Sequence, residues 1–319
     1  MTTPLQYFML IAKEKSIVRA AEQLYITPQN LSNHMRRLEK EYGVLFDRYP
    51  HFRLTPAGEA LLETLKQISI LEQGLDERLK EMREEMIGNL HFGIHPIRAY
   101  TMLPLVLPAF YHDFPNVHVT VHHQNMARNV EMLLSGELDA FFGVDTPALP
   151  EFRIHPLSTE KTYFVASAEL LEQNGIAPDT DTLASDVLPH FPYLLSPADS
   201  IFRPKINTFC EERGILLRER LTISDFSLQL VSASQGLGAC FTPGTMLLRV
   251  EELNRDLPPE KKLRALKVEG LHGITRLSFV THRMAYRSQP VTGLLKAFQA
   301  AVVSGTETAK EVLNASAGE

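Results

Sequence analysis

Between Thr27 and Arg36 the chain carries Thr27, Pro28, Gln29, Asn30, Ser32, Asn33 and Arg36, mostly amides and hydroxyls, with one guanidinium. Gln and Asn can each make a paired hydrogen bond to adenine, Ser and Thr can bond bases or phosphates, and Arg reads guanine or neutralises phosphate. That is chemistry for reading a DNA groove. Farther on, His95-Pro96-Ile97-Arg98 places a forked guanidinium near an imidazole that titrates close to neutrality. Such a pair suits a small carboxylate or another small anion. The alternative is that Arg98 ion-pairs with a carboxylate of its own chain, such as Asp145 or Asp199.

Other constellations carry less. His91, His95, His112, His118, His122 and His123 crowd one stretch and suggest a metal. On a strand, however, His118 and His122 share a face roughly 13 Å apart at about 3.3 Å per residue, too far for one ion. No metal and no cofactor is expected, although an outward histidine row could make a pH-sensitive contact between subunits. Cys210 and Cys240 stand in apolar surroundings, where cysteine behaves as a small hydrophobe, with Arg213 one turn from Cys210. Gly236-Leu237-Gly238 follows a helix and precedes a strand, the wrong order for a phosphate cradle. There is no Gly-x-Ser-x-Gly elbow, His-Glu-x-x-His or Walker loop, and no defensible catalytic triad, so an enzyme is not expected.

The elements that position the first cluster are legible. A helix is predicted over 4–13, then two short helices joined by Leu24-Tyr25-Ile26. Thr27 is a good N-cap, and Pro28 sits at the first helical position, where a missing N–H costs nothing. Leu31, Met35 and Leu38 recur at helical spacing and face a core, which turns the polar set outward. This is a helix-turn-helix, whose second helix enters a major groove. Residues 45–55 read as a hairpin wing flanked by Arg48 and Arg53. A long helix then runs from Pro56 to about Met86. Its Leu61, Leu65, Ile68, Leu75, Leu79, Met82 and Met86 form a seam, broken at Glu72 and partly covered there by Leu71. A dimeric coiled coil explains it; packing on its own chain is the alternative.

Beyond Gly88-Asn89, strands near 90–94, 117–123 and 140–144 alternate with helices near 103–112 and 129–134, the pattern of a parallel sheet with crossovers. A second unit begins near Tyr163. It contains Tyr193-Leu194-Leu195, helices at 201–213 and 229–234, and a strand at 237–242. A strand at 276–280 and a helix at 291–303 return to the first unit, and the small polar residues from Ser304 predict a frayed tail. Composition agrees with a DNA module on an acidic body. The 319 residues carry a net charge of −6, but residues 1–66 carry +2 and the remainder −8. The start lacks a signal-peptide pattern, no apolar run approaches the roughly 18 to 20 residues of a membrane span, and two cysteines make no disulfide framework. A cytoplasmic protein is expected.

Taken in order, Ser16 to Ala21, Leu31 to Glu39, Leu45 to Arg48, Leu54 to Gly58, Leu133 to Ala140 and Val231 to Pro243 make the chain resemble LysR-type transcriptional regulators over about 300 residues. The resemblance implies a multidomain α plus α/β protein: a winged helix-turn-helix at 1–58, a dimerising linker helix at 59–87 and an effector-binding domain at 88–303. That last domain is similar to periplasmic solute-binding proteins, with subdomain I at 88–161 and 266–303 and subdomain II at 162–265; a disordered tail at 304–319 follows. The implied partners are double-stranded promoter DNA, a small-molecule effector, a second copy of the chain in a dimer or tetramer, and RNA polymerase, with no membrane.

At the family's DNA-contact positions stand Thr27, Pro28, Gln29, Asn30, Ser32 and Asn33, with Arg36, Arg48 and Arg53 as phosphate contacts. Many members carry Gln where this chain has Pro28 and Arg where it has Asn33. Base reading then shifts to Gln29 and Asn33, and a less guanine-directed half-site is expected. The effector is expected where strand ends converge: His95, Ile97 and Arg98; Gln124 and Asn125; Gly143 and Asp145; Ser196, Asp199 and Ser200; and Phe241 and Pro243. A helix N-terminus after Ser200 would add N–H groups for an anion. One branch of the family senses peroxide through cysteines. The competing functions are a solute-binding or sensor protein without direct DNA regulation, and an enzyme on the same α/β body.

Overall fold

Phe8 and Ile11 of α1 (Thr3–Glu14) have no exposed surface, and around them the N-terminal elements assemble. Ala20 and Ala21 let α2 (Ile17–Gln23) approach closely, while Leu31, Met35 and Leu38 bury one face of α3 (Pro28–Tyr42). An edge-on contact of Tyr7 with His34, ring centroids 5.2 Å apart, ties α3 to α1. A wing follows, β1 (Phe46–Asp47) antiparallel to β2 (Arg53–Leu54). The structure, a computed structural model, describes residues 1–47, 52–83, 88–198, 200–271 and 275–315. Arg48, Met86 and Asp199 therefore lie outside the described residues. Helix α4 (Pro56–Met82) opens on Thr55, whose Oγ1 accepts from Gly58 N at 3.1 Å. Gly58 leaves room for the wing; a Cβ there would sit 2.2 Å from Leu45 O.

Two mixed sheets follow. The first is built from β3 (Gly88–Ile94), α5 (Pro96–Asp113), β4 (Val117–His123), α6 (Met126–Leu134), β5 (Ala140–Val144) and β6 (Phe152–Glu160). The second contains β7 (Thr162–Ser167), α7 (Ala168–Gln173), β8 (Thr182–Leu183), β9 (Pro192–Leu195), α8 (Arg203–Glu211), β10 (Arg218–Thr222), α9 (Phe226–Ser234), β11 (Cys240–Pro243), α10 (Leu247–Asn254) and β12 (Leu263–Val268). The chain then returns through β13 (Thr275–His282) and α11 (Gln289–Ala315). Strand order in the first sheet is β4-β3-β5-β13-β6; β3 runs parallel to β4 and β5, and β13 antiparallel to β5 and β6. The second is β11-β7-β12-β8, with the parallel pair β9 and β10 reached through a bridge from Tyr193 to Ala239. Phe92, Phe142, Phe279 and Phe298 fill the first core; Phe164, Phe191, Tyr193 and Phe241 fill the second.

Three expectations need correction. Leu266 pairs with Phe164 and Lys267 with Thr182, so 266–268 belong to the second sheet and the return to the first comes after Val268. Helix α5 starts at Pro96 rather than 103, and its internal Pro104 and Pro108 both lie on its exposed face. Helix α11 spans Gln289–Ala315, longer than the 291–303 expected for it.

Helix α4 serves several neighbours at once. Leu65 is buried in the core of the N-terminal unit rather than lying on an open seam. Ile70 and Gly74 are buried against the first subdomain, where a Cβ on Gly74 would lie 2.9 Å from Tyr286 Cβ. Glu81 accepts hydrogen bonds from the Tyr286 hydroxyl at 2.7 Å and from Gln289 N. Ile68, Leu71, Leu75, Leu79 and Met82 form an exposed stripe at steps of three and four. Packing on the same chain and a free apolar seam thus coexist on different faces.

Glu77, between these faces, is pushed up to about 7 by burial first, then by Asp139 and Glu81, against the pull of Lys80 and a hydrogen bond with Ser288. A carboxyl raised in this way favours folding in its protonated form. That contribution is complete below the unfolded value near 4.5 and is lost as the pH rises through 7. Glu77→Gln should melt with wild type at pH 4.5 and above it at pH 8, by roughly 1 kcal/mol once solvent screening of this partly exposed group is allowed for. An equal difference at both pH values in thermal melts would assign the effect to something other than this proton.

Candidate functional site

The N-terminal face is built by capping. Ser16 Oγ accepts from Arg19 N at 3.3 Å to start α2, and Thr27 Oγ1 accepts from Asn30 N at 3.2 Å to start α3. With Leu31, Met35 and Leu38 turned inward, Thr27, Pro28, Gln29, Asn30, Asn33 and Arg36 are exposed together and Ser32 is half-buried beside them. Arg36 Nη1 donates to Asn33 Oδ1 at 3.2 Å, so these two side chains act as one unit. Arg53 extends from the wing and pairs with Asp47 at 3.1 Å.

Between the two sheets lies a cavity of about 320 Å³. His95, Ile97, Arg98, Asn125, Asn129 and Thr275 line it on one side; Ser196, Ser200, Lys205, Phe226 and Pro243 line it on the other. Phe142, Val144, Ile201 and Phe202 supply apolar wall.

Arg98 does not offer its guanidinium to the cavity. It is 7% exposed and forms a two-pronged ion pair with Glu160, 8% exposed, with one bond at 2.9 Å. Thr245 closes the cluster, accepting from Arg98 at Oγ1 and donating from its N to Glu160 at 3.2 Å. The internal-carboxylate alternative therefore holds, with Glu160 as the partner in place of Asp145 or Asp199. His95 is held below its ordinary value by desolvation first, then by the charge of Arg98 and by His123. The helix end after Ser200 is also largely used up: Ser200 Oγ accepts from Arg203 N at 3.0 Å, and Pro204 has no N–H.

Two residues outside the expected set also line the cavity. Lys205, on the first turn of α8, ion-pairs with Asp145 and donates to Thr275 Oγ1 at 2.7 Å, reaching from the second subdomain to the first. Asn129 is 1% exposed; its Nδ2 donates to Gln124 O at 3.3 Å, while its Oδ1 has no protein partner. Gly93 makes room for that oxygen, since a Cβ there would lie 2.4 Å from it. A buried acceptor left without a donor costs about 1–3 kcal/mol. Asn129 follows its helix N-cap Asn125 by one turn, a spacing the sequence does offer as a clue.

Gln124, Gly143, Asp145 and Phe241 do not line the cavity. Gln124 supports Asn129 through its carbonyl, and Gly143 is closed in by Thr146 and Ser278. Asp145 anchors Lys205, and Phe241 stacks on Tyr193 in the second core, ring centroids 5.5 Å apart. Of the histidine row, His122 meets His91 across neighbouring strands, ring nitrogens 3.1 Å apart. Among the described residues no group of three or more His, Cys, Asp or Glu could hold a metal ion, and no helix is long and apolar enough to cross a membrane.

Residues 3–59 match the family model for the bacterial regulatory helix-turn-helix protein of the lysR family, and residues 83–302 match the LysR substrate binding domain. The chain belongs to the LysR family. It is 26% identical to the HTH-type transcriptional regulator TfdS of Cupriavidus pinatubonensis, covering 76% of this chain and 82% of that one. It is 29% identical to the HTH-type transcriptional regulator ShiR of Corynebacterium glutamicum, covering 76% and 83%. Its fold is similar to full-length OxyR C199D from Pseudomonas aeruginosa (TM-score 0.69, 20% identity, 94% of this chain and 95% of that one). It is also similar to full-length CbnR complexed with its target DNA (TM-score 0.56, 22% identity, 95% and 98%).

In this LysR regulator both thiols are buried. Burial pushes Cys240 up to about 12 and raises Cys210 despite Arg203 and Arg213 nearby, so neither is a poised thiolate. Breaking a buried ion pair by removing one partner strands the other charge. Arg98→Ala should therefore lower the stability of the LysR regulator by about 3 kcal/mol in urea unfolding. A loss under about 1 kcal/mol would mean that Glu160 finds water or another partner.

Proposed function

We propose that this ligand-responsive, DNA-binding LysR regulator takes a small effector with one acidic group and an apolar body, anchored by Lys205 rather than Arg98. The carrying observation is the difference between the two cations. Arg98 is sealed in a buried pair, whereas Lys205 is partly exposed, lines the cavity and bonds across it. The carboxylate of an incoming molecule would exchange with Asp145 on Lys205, and its apolar body would lie against Phe202, Phe226 and Ile201. Because Lys205 joins the two subdomains, such an exchange changes what holds them together. A ligand shifts that equilibrium only by its different affinity for the two arrangements.

On the DNA side, Gln29 and the Asn33–Arg36 unit read the promoter, and Arg53 and Arg48 contact phosphate. The exposed stripe of α4 supports dimerisation through that helix. Assembly to a tetramer, contact with RNA polymerase and action in the cytoplasm belong to the same reading.

Benzoate is a suitable probe, pairing one carboxylate with an apolar ring. Wild type should gain thermal stability with millimolar benzoate and Lys205→Met should not; equal gains would remove Lys205 from the site. For the DNA face, selection from a random duplex pool should return half-sites whose Asn33-dependent positions are adenines. A dominant guanine abolished by Asn33→Ala would sink that assignment.

A further inference from the structure

The turn between α2 and α3 holds a residue that neither its backbone nor its packing explains. Tyr25 N donates to Glu22 O at 3.2 Å and Ile26 N donates to Ala21 O at 3.1 Å, which closes a Schellman motif on α2. That motif requires a left-handed residue at position 25, and Tyr25 has φ of +55°. Glycine fits such a position freely, and a bulky side chain strains it. Among the described residues no side-chain hydrogen bond or ring contact of Tyr25 adds to those two backbone bonds. Tyr25 is 95% exposed, the most exposed of the large hydrophobic side chains among the described residues. Its neighbour Ile26, by contrast, packs against the N-terminal core. The ring stands two residues before Thr27, the N-cap of the helix whose exposed face carries Gln29, Asn33 and Arg36.

We infer that Tyr25 is a DNA-contacting residue, its hydroxyl donating to a phosphate oxygen beside the groove that α3 enters and its ring lying on the adjoining sugar. An aromatic ring with a polar tip suits a surface with one apolar and one charged part. Backbone strain that local packing does not repay is found where a partner completes the structure. A neutral hydroxyl adds affinity without displacing a counterion, which separates this contact from those of Arg36 and Arg53. The position beside the groove rests on α3 being the reading helix.

The test uses the full chain and a duplex selected by wild type from a random pool. Tyr25→Gly and Tyr25→Asn, both at ease in the left-handed region, should melt at or above wild type, the glycine variant by a few degrees. Both should bind the duplex about tenfold more weakly, with an unchanged slope of affinity against salt. Tyr25→Phe should lose most of the same affinity with no gain in melting temperature. Wild-type affinity in either Tyr25→Gly or Tyr25→Asn overturns the inference, as does a loss of binding that tracks a loss of dimer in sedimentation. Gln29→Ala judges the reading helix separately: undiminished binding by that variant would remove α3 from the groove, while the Tyr25 contact stands or falls on the Tyr25 variants.

Discussion

The buried cluster of Arg98, Glu160 and Thr245 fixes what the rest of the effector-binding domain can do. Arg98 stands in the first turn of α5, Glu160 ends β6 one residue before the chain crosses into the second sheet, and Thr245 follows β11. Three elements are thus joined at the crossing by charges that are almost fully removed from water. A pair this deep is tolerable only when its hydrogen bonds are made, and here Thr245 supplies both a donor and an acceptor. The cluster holds the first turn of α5, so His95 and Ile97 face the cavity in a fixed way. It also leaves Lys205 as the cation whose partner can be exchanged.

Helix α4 imposes a second constraint. One helix supplies Leu65 to the DNA-binding unit, Gly74 and Glu81 to the loop before α11, and an apolar stripe to solvent. The close approach at Gly74 leaves little room for α4 to slide over Tyr286. Movement of the first subdomain must therefore carry the helix with it or break the contacts of Glu81. Burial of Glu77 near Asp139 makes that junction less favourable when both carboxyls are charged.

Much of this is legible in the chain, and what is not legible has a common cause. The capped turn at Thr27-Pro28, the inward Leu31, Met35 and Leu38, and the alternation of strands and helices are local patterns, and local patterns survive in a sequence. His95, Ile97, Asn125, Ser196, Ser200 and Pro243 can be found because ligands gather at strand ends, a rule of topology. Arg98 reads as a ligand group because a lone guanidinium near a strand end looks free. Its partner Glu160 lies 62 residues away, and only folding brings them together. Lys205 escapes notice for the converse reason: its contact with Asp145 spans 60 residues, and nothing local marks it. Glu77 and Asp139 show the same limit, since neither stretch of sequence records that it will be buried against the other.

The pattern of satisfied and unsatisfied groups in the cavity argues for how a ligand is told apart. Arg98 lines the cavity but is committed to Glu160 inside the chain. Lys205 holds a carboxylate that, on the proposed reading, a ligand would replace. Leaving a polar group unpaired costs more than a new hydrogen bond gains, so on the proposed reading selectivity falls on the exchangeable pair. On that reading, a molecule without an acid would leave Lys205 on Asp145, and one whose acid reaches Lys205 from the apolar wall would release the subdomain contact.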